Sequence, residues 1–455
     1  MPTIEDARKV LKQFWGYDSF LPLQAQAIEA SLAGRDALIV LPTGGGKSVC
    51  YQVPALVRGA MTLVVSPLIS LMKDQVDALR GIGITAAALN SSQSASQQEQ
   101  TLAEWSAGKL RLLYVAPERL LTDRMIEQLH RNPPLQIAID EAHCISSWGH
   151  DFRPEYRGLA KFREWFPDIP VAALTATATP DVRQDIAVQL QLRSPEILIG
   201  SFHRPNLIYH VQRRESGFNQ ICSVMDGYRN QSGIIYAISR AKVEQISNTL
   251  NQLGYRTLPY HAGLTELERI QNQEAFEHDE IEAIVATVAF GMGIDKSNVR
   301  YVIHFEMPRS IENYQQESGR AGRDRLTSEC WLFYGTQDTL TWERVIQDSP
   351  EEVRQQAKQS LRIVQRYCHG MTCRHQFLVE YFDQTFEQMC QACDVCLGKS
   401  ERTDGPLVVG QKNFVLCASL PFQVRCSSHY SSFGGKQGKK DPWVWPRQIE
   451  HLRIA

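Results

Sequence analysis

The sequence predicts an α/β protein of two parallel-sheet lobes, followed by a small helical zinc-binding subdomain. Three observations predict it. Short apolar runs alternate with helical stretches in two successive series, the pattern of a parallel sheet covered on both faces. A glycine-rich loop follows the first run, where such sheets place ligands. Four cysteines, Cys373, Cys390, Cys393 and Cys396, stand beyond the second series in the spacing C-x16-C-x2-C-x2-C.

Composition sets the outer bounds. A chain of 455 residues with 43% hydrophobic and 22% charged residues suits two to four globular domains. A net charge of −2 excludes a polycation but leaves room for a local basic groove. The N-terminus lacks the apolar core of a secretory signal, and no apolar run approaches the ~20 residues needed to span a bilayer. A cytoplasmic location is expected. Eleven cysteines, mostly scattered, suggest reduced thiols with one metal site.

In chain order, Ile4, Ala7, Val10, Leu11 and Phe14 recur at helical spacing, and Gly16 can end that helix. Gln24 follows near the start of a second helix. Its amide can both donate to and accept from a purine edge, although a surface glutamine has the same appearance. Next comes the run 36–40, read as a buried strand, and then Leu41-Pro42-Thr43-Gly44-Gly45-Gly46-Lys47-Ser48. Gly44, Gly45 and Gly46 let backbone N–H groups turn inward on an anion. Lys47 supplies charge for β- and γ-phosphates, and Ser48 a hydroxyl for Mg²⁺. A following helix adds its positive N-terminal dipole. An ordinary glycine-rich turn would look similar, so the rest of the chain has to decide.

Further strands are expected at 62–66, 110–115, 135–139 and 171–175, with a helix over 68–76. The run 135–139 leads into Asp140-Glu141-Ala142-His143. An aspartate at the end of a buried strand is costly unless it is paired or binds a metal. Asp140 can complete a Mg²⁺ shell, and Glu141 can orient or deprotonate an attacking water. A phosphate loop and this acidic pair on one sheet point together to nucleotide hydrolysis. Residues 144–156 follow as a loop containing Trp148, His150, Phe152 and Arg153. Flat rings beside an arginine suit unpaired bases and phosphates, and they equally suit core packing. The hydroxyl-rich end 175–179 is a weak signal by itself.

The pattern breaks around 195–210, where Phe202-His203-Arg204-Pro205-Asn206 reads as a connection between lobes. Strands are then expected at 233–237, 258–261, 283–287 and 299–303. This series has no phosphate loop. It carries Arg320 and Arg323, three apart and expected on one side of a helical turn, suited to reach a γ-phosphate held by the first lobe. A salt-bridged helix surface is the alternative.

These stretches jointly resemble superfamily 2 helicases, and specifically the RecQ family of DNA helicases, over residues 1–400. The resemblance rests on 41–48, 65–75, 140–156 and 174–179. In the second series it rests on Ser239-Arg240, 261–264, 287–296 and 314–324. The DEAH sequence running straight into the Trp148/Phe152 loop is its most specific part. It implies two RecA-like lobes, with ATP and Mg²⁺ between them and a single DNA strand crossing both. It also implies 3′→5′ unwinding of tailed duplex DNA in repair and recombination, by a monomer. His143, Trp148, His150, Phe152 and Arg153 would couple DNA to hydrolysis. Tyr17 and Gln24 look like adenine-recognition positions, although Leu21 stands where the family commonly has an arginine. Arg325 stands where many members have glycine.

Thiolates two residues apart can converge on one tetrahedral Zn²⁺, and four of them close the site, so it reads as structural. The expected boundaries are 1–200 and 201–345 for the lobes, 346–400 for the zinc subdomain and 401–455 for a tail. The tail shows no sustained period and is expected to be non-homologous and largely disordered. Its Lys436, Lys439 and Lys440 could touch phosphates nonspecifically. Two rivals remain: an RNA substrate, and a nucleotide-switched DNA-binding or annealing protein that hydrolyses ATP without efficient unwinding.

Overall fold

Leucine, isoleucine, valine and alanine runs form the central strands of each sheet, which are buried along nearly their whole length, as parallel sheets covered by helices require. The computed structural model describes residues 2–90, 93–149, 151–288, 290 and 296–400. Expectations for His150, for 291–295 and for the tail therefore lie outside the described residues.

The first sheet contains β1 (Ala37–Val40), β2 (Thr62–Val65), β3 (Ala86–Leu89), β4 (Leu112–Val115), β5 (Gln136–Ile139), β6 (Val171–Thr175) and β7 (Glu196–Ile199). Their order is β3-β4-β2-β5-β6-β1-β7 and every pairing is parallel. Register aligns Val40 with Thr175 and with Ile199, and Val65 with Ile139. All carboxyl ends therefore open at one edge, and the segments after β1, β5 and β6 emerge side by side.

The second sheet contains β8 (Leu207–Arg213), β9 (Ser232–Tyr236), β10 (Thr257–Tyr260), β11 (Ala283–Ala286), β12 (Val299–His304) and β13 (Ser328–Tyr334). Its order is β10-β11-β9-β12-β13-β8, again all parallel. Each sheet has a core on either face. A buried leucine or isoleucine there contributes roughly 1.5–3 kcal/mol.

Several helix ends follow local capping chemistry. Thr3 and Asp6 form a reciprocal capping box at the helix Ile4–Trp15, and Gly16 ends it at φ +76°. Ser94 with Gln97, and Thr265 with Glu268, repeat the capping box elsewhere.

Four strands escape the sequence pattern. β3 begins Ala86-Ala87-Ala88, with no β-branched residue to mark it. β7 and β8 lie where the sequence pattern breaks, and β13 is interrupted by Glu329 and Cys330. The two arginines of the second lobe also differ from expectation. The helix Ile311–Ser318 ends before them, and Arg320 and Arg323 sit in the turns beyond it.

The cysteine segment is built onto the second sheet. Tyr209 N–H donates to the Ala392 carbonyl at 3.2 Å, and Asp394 N–H donates back to Tyr209 at 2.9 Å. Backbone pairing thus covers the edge strand β8. Arg374 and Asp394, 3% and 2% exposed, pair through two bonds of 2.9 Å. Removing one partner of such a pair costs about 3–5 kcal/mol. The following residues reach the other lobe: Phe382 stacks on Phe202 at 4.1 Å and belongs to the first lobe's core. Among the described residues no helix is long and apolar enough to cross a membrane.

Candidate nucleotide site and cysteine cluster

Residues 41–48 turn from β1 into the helix Val49–Arg58, whose N-terminus faces the loop. Gly44 and Gly46 have φ +80° and +69°, a region that residues with a Cβ rarely adopt. Space is a second reason for glycine. A Cβ on Gly46 would lie 2.2 Å from Nε2 of Gln24, and one on Gly45 2.8 Å from the Pro42 carbonyl. Lys47 Nζ rests 3.4 Å from the Leu41 carbonyl, within the cradle.

Gln24 is 4% exposed and clamps this loop. Its Nε2 donates to the carbonyls of Gly46 at 3.0 Å and Gly45 at 3.3 Å, and its Oε1 accepts from Leu21 N–H at 2.8 Å. Both ends of the amide are engaged with protein, so reading a base would require it to exchange partners. Tyr17 is 63% exposed on the wall of the same cleft, and Leu21 lines that wall as well.

At the end of β5, burial first and the neighbouring Glu141 carboxylate second push the Asp140 carboxyl up to about 7, against the pull of Lys47. A carboxyl so placed favours a cation beside it. Glu141 adopts φ +47°, unusual for a residue with a side chain and the kind of strain that functional sites hold. Its Oε2 lies 3.3 Å from Nδ1 of His143, which is also 2.8 Å from Oγ1 of Thr175. Burial alone would lower the His143 pKa, but Cys144 and Glu141 reverse the sign and raise it well above the usual value. His143 is 1% exposed, so it faces the acid and Thr175 from inside the protein. Thr175, a weak signal in the sequence, is thereby brought into the site.

The second lobe closes the other side. Arg320, Arg323, Gln316 and Arg325 line the same cavity of about 1010 Å³ as Lys47, Ser48, Asp140 and Glu141. A Cβ on Gly44 would touch Cγ of Arg323 at 3.7 Å, so that side chain lies against the phosphate loop. Arg320 is 3% exposed, and its Nε has no hydrogen-bond partner among the described residues. A buried guanidinium nitrogen without a protein acceptor, on the wall of a cavity, fits an anionic group of the ligand. The residues lining the cavity fit a nucleoside triphosphate: a glycine-rich turn, one lysine and two arginines, with an acidic pair for a divalent cation.

One contributor had no signal beyond its place in the connection. Arg204 donates to the carbonyl of Thr43 in the phosphate loop and to the carbonyls of Gly319, Ala321 and Gly322 in the second lobe. Nothing in the sequence pairs positions 43, 204 and 319. Only the fold brings them together.

The loop after the acidic pair is strapped to it. Tyr156 OH donates to the Asp140 carbonyl at 3.0 Å, and Arg153 N–H to Cys144 at 2.9 Å. A Cβ on Gly149 would meet the His143 carbonyl at 2.5 Å, so glycine lets the loop fold back on this segment. Arg153 Nη1 donates to the Pro67 carbonyl at 2.9 Å, and the Arg157 guanidinium lies 4.8 Å from the Phe152 ring centre. Trp148 is 53% exposed. Of the residues described in this loop, the tryptophan offers the free ring, and Phe152 and Arg153 are engaged with protein.

The ligand atoms of Cys373, Cys390, Cys393 and Cys396 all lie within 4.8 Å of one another. Four thiolates around one Zn²⁺ at about 2.3 Å would lie roughly 3.8 Å apart, so the cluster fits with small adjustment. Backbone N–H groups of Ala392 and Cys396 point at Cys390 Sγ and Cys393 Sγ, at 3.3 and 3.4 Å, which offsets part of the upward push that burial gives both thiols.

Comparison with known proteins agrees with this geometry. Residues 21–186 match the DEAD/DEAH box helicase family, 216–325 the helicase conserved C-terminal domain, and 336–397 the RecQ zinc-binding family. The chain is 46% identical to the ATP-dependent DNA helicase RecQ of Pasteurella multocida, over 90% of this chain and 65% of that one. The protein of that name from Haemophilus influenzae is also 46% identical, over 89% and 66%. The chain thus spans just under two thirds of these relatives' length. The yeast helicase SGS1 is 42% identical over 85% of this chain and 28% of its own. Among solved structures, Mycobacterium smegmatis helicase Lhr bound to ssDNA and AMP-PNP shares the fold at a TM-score of 0.59 and 20% identity, over 75% of this chain and 49% of that one. Saccharomyces cerevisiae Dbp5 bound to RNA and ADP BeF3 shares it at 0.57 and 15%, over 79% and 100%. With three family matches in register along its described length and relatives of this identity, the chain belongs to the RecQ family of helicases.

Proposed function

We propose that the protein is an ATP-dependent DNA helicase that moves 3′→5′ along a single strand and acts in repair and recombination. The observation that carries this reading is the shared cavity. Arginines of the second lobe line the same space as the phosphate loop and acidic pair of the first, so hydrolysis and lobe position depend on each other. Direction and pathway rest on the family alone.

Lys47 and the loop N–H groups hold the β- and γ-phosphates. Glu141 receives the proton of the attacking water, and His143 keeps that carboxylate in place. Arg320 and Arg323 meet charge developing on the transferred phosphoryl group. Mg²⁺, when bound, offsets the charge on the phosphate oxygens, and Ser48 and Asp140 are the residues that would hold it. The first lobe alone has no arginine in this position, so hydrolysis requires the lobes to be together and product release lets them part. Trp148 stacks on an unpaired base, and the strap from its loop to Asp140 conveys that contact to the acid pair. Cys373, Cys390, Cys393 and Cys396 would hold Zn²⁺, and a closed four-thiolate site would tie down the segment that caps β8.

The test is strand displacement from tailed duplexes, with ATP hydrolysis followed in parallel. The wild type should displace the strand from a 3′-tailed duplex, with hydrolysis stimulated by single-stranded DNA more than by RNA. Lys47→Ala should do neither. Unwinding of 5′-tailed substrates alone would contradict the polarity. Hydrolysis without displacement would favour a nucleotide-switched DNA-binding protein, and stronger stimulation by RNA an RNA enzyme.

A further inference from the structure

Arg204 lies in the connection between β7 and β8, half-buried beside the nucleotide cleft. Its guanidinium has five N–H donors, and each finds an acceptor within the protein. Nη1 donates to the carbonyls of Thr43 at 3.2 Å and Gly319 at 3.3 Å. Nη2 donates to Ala321 at 3.1 Å and Gly322 at 2.9 Å, and Nε to Oδ1 of Asn206 at 3.4 Å. No donor is left for a phosphate, so Arg204 is not a third finger. Its bonds instead run to two places that must stay in register. One is the phosphate loop at Thr43. The other is the turn that carries Arg320 and Arg323.

We propose that Arg204 is a positioning residue that fixes the turn bearing Arg320 and Arg323 against the phosphate loop. The proposal rests on the reading of the cleft as a site of ATP hydrolysis. Four further observations support it. Its carbonyls from 319, 321 and 322 bracket Arg320 and lead directly into Arg323, so both arginines are set by main chain that Arg204 holds. Those carbonyls also lie just past the C-terminus of the helix Ile311–Ser318, where the helix dipole favours a cation. The two anchored segments nearly touch, since a Cβ on Gly319 would stand 3.4 Å from Cβ of Thr43. Asn206 reinforces the turn, donating to Gly322 at 2.9 Å and Leu326 at 3.0 Å. A planar fork can span four carbonyls on two segments, and the point charge of a lysine cannot.

The test compares Arg204→Lys and Arg204→Ala with wild type in DNA-stimulated ATP hydrolysis, with thermal unfolding as a control. Lysine keeps the charge and loses the fork, so it remains informative if the alanine variant folds poorly. Arg204→Lys should lower kcat about 100-fold, the scale of an ångström-level misplacement of catalytic groups. Its KM for ATP should stay within about threefold, because the groups that hold the nucleotide belong to the first lobe. Adding Arg204→Lys to Arg320→Ala should lower the rate little beyond Arg320→Ala alone, since both remove one function. Wild-type turnover in Arg204→Lys overturns the proposal, as do equal losses in KM and kcat or losses that multiply in the double variant. Lys47→Ala is run alongside. If it abolishes hydrolysis while Arg204→Lys is unaffected, only the role of Arg204 fails. If Lys47→Ala hydrolyses normally, the reading of the cleft fails and the proposal with it.

Discussion

The two lobes share a plan of parallel strands between helices, yet they bring their functional groups to the cleft in different ways. In the first lobe the groups stand directly on strand ends and are held by their own lobe. Lys47 and Ser48 follow β1, and Asp140 and Glu141 follow β5. Gln24 and His143 fix them through bonds inside the same sheet and its helices. In the second lobe Arg320 and Arg323 lie beyond the end of a helix, in turns. Their main chain is held by Arg204, from the connection, which also grips the phosphate loop. On the proposed reading, binding is built into one lobe and hydrolysis depends on a relation between two.

The comparison can be broken at three levels. The largest effect is expected from the second lobe's arginines. Arg320→Ala should lower ATP turnover by about 10³-fold, the lower end for loss of an arginine finger, measured at saturating ATP and DNA. A change of less than tenfold would mean that the first lobe is sufficient. A smaller effect belongs to the first lobe's own link to DNA. Trp148→Ala should reduce DNA stimulation about tenfold, the worth of one stacked base. Because the ring is exposed, stability and hydrolysis without DNA should hardly change. Loss of stability instead would assign that loop to packing. The smallest effect concerns backbone strain in the second lobe. Arg325 adopts φ +68°, a left-handed conformation that disfavours any residue with a Cβ. Arg325→Gly should raise stability by about 0.5–1 kcal/mol, after allowing for the greater freedom of glycine in the unfolded chain. The readout is a higher urea midpoint at constant slope. An unchanged or lower midpoint would show that the side chain holds this turn.

What could be read from the sequence divides along the same line. The first lobe's candidate residues were legible because a phosphate site draws on adjacent positions, glycines, lysine and serine in one loop, aspartate and glutamate side by side, and the fold brings them to one cavity. Local spacing carries such information. The cysteine cluster was legible for the same reason, through its two-residue intervals. The alternation of runs gave the parallel sheets, but it failed at β3, where alanines pack as well as β-branched residues in a buried strand. It failed again at β7 and β8, on either side of the connection between lobes. Arg204 was read as part of that connection and nothing more, because its partners at 43, 319, 321 and 322 are far away in sequence. The involvement of Gln24 with the Gly45 and Gly46 carbonyls, and of His143 with Thr175, was likewise invisible to spacing. The helix under Arg320 and Arg323 was misjudged because arginines three apart suit a helix face as well as they suit successive turns.

The claim that one lobe binds and the other completes hydrolysis is tested most directly by nucleotide affinity. Binding of a non-hydrolysable ATP analogue would be measured by titration in the wild type, Lys47→Ala and Arg320→Ala. The account predicts that Lys47→Ala loses at least about tenfold in affinity, a net contribution of ~1.4 kcal/mol from a charge-assisted contact. Arg320→Ala should stay within about threefold of wild type although its turnover collapses. Equal loss of affinity in both variants would contradict the account, because it would show the second lobe binding the ground state as strongly as the first.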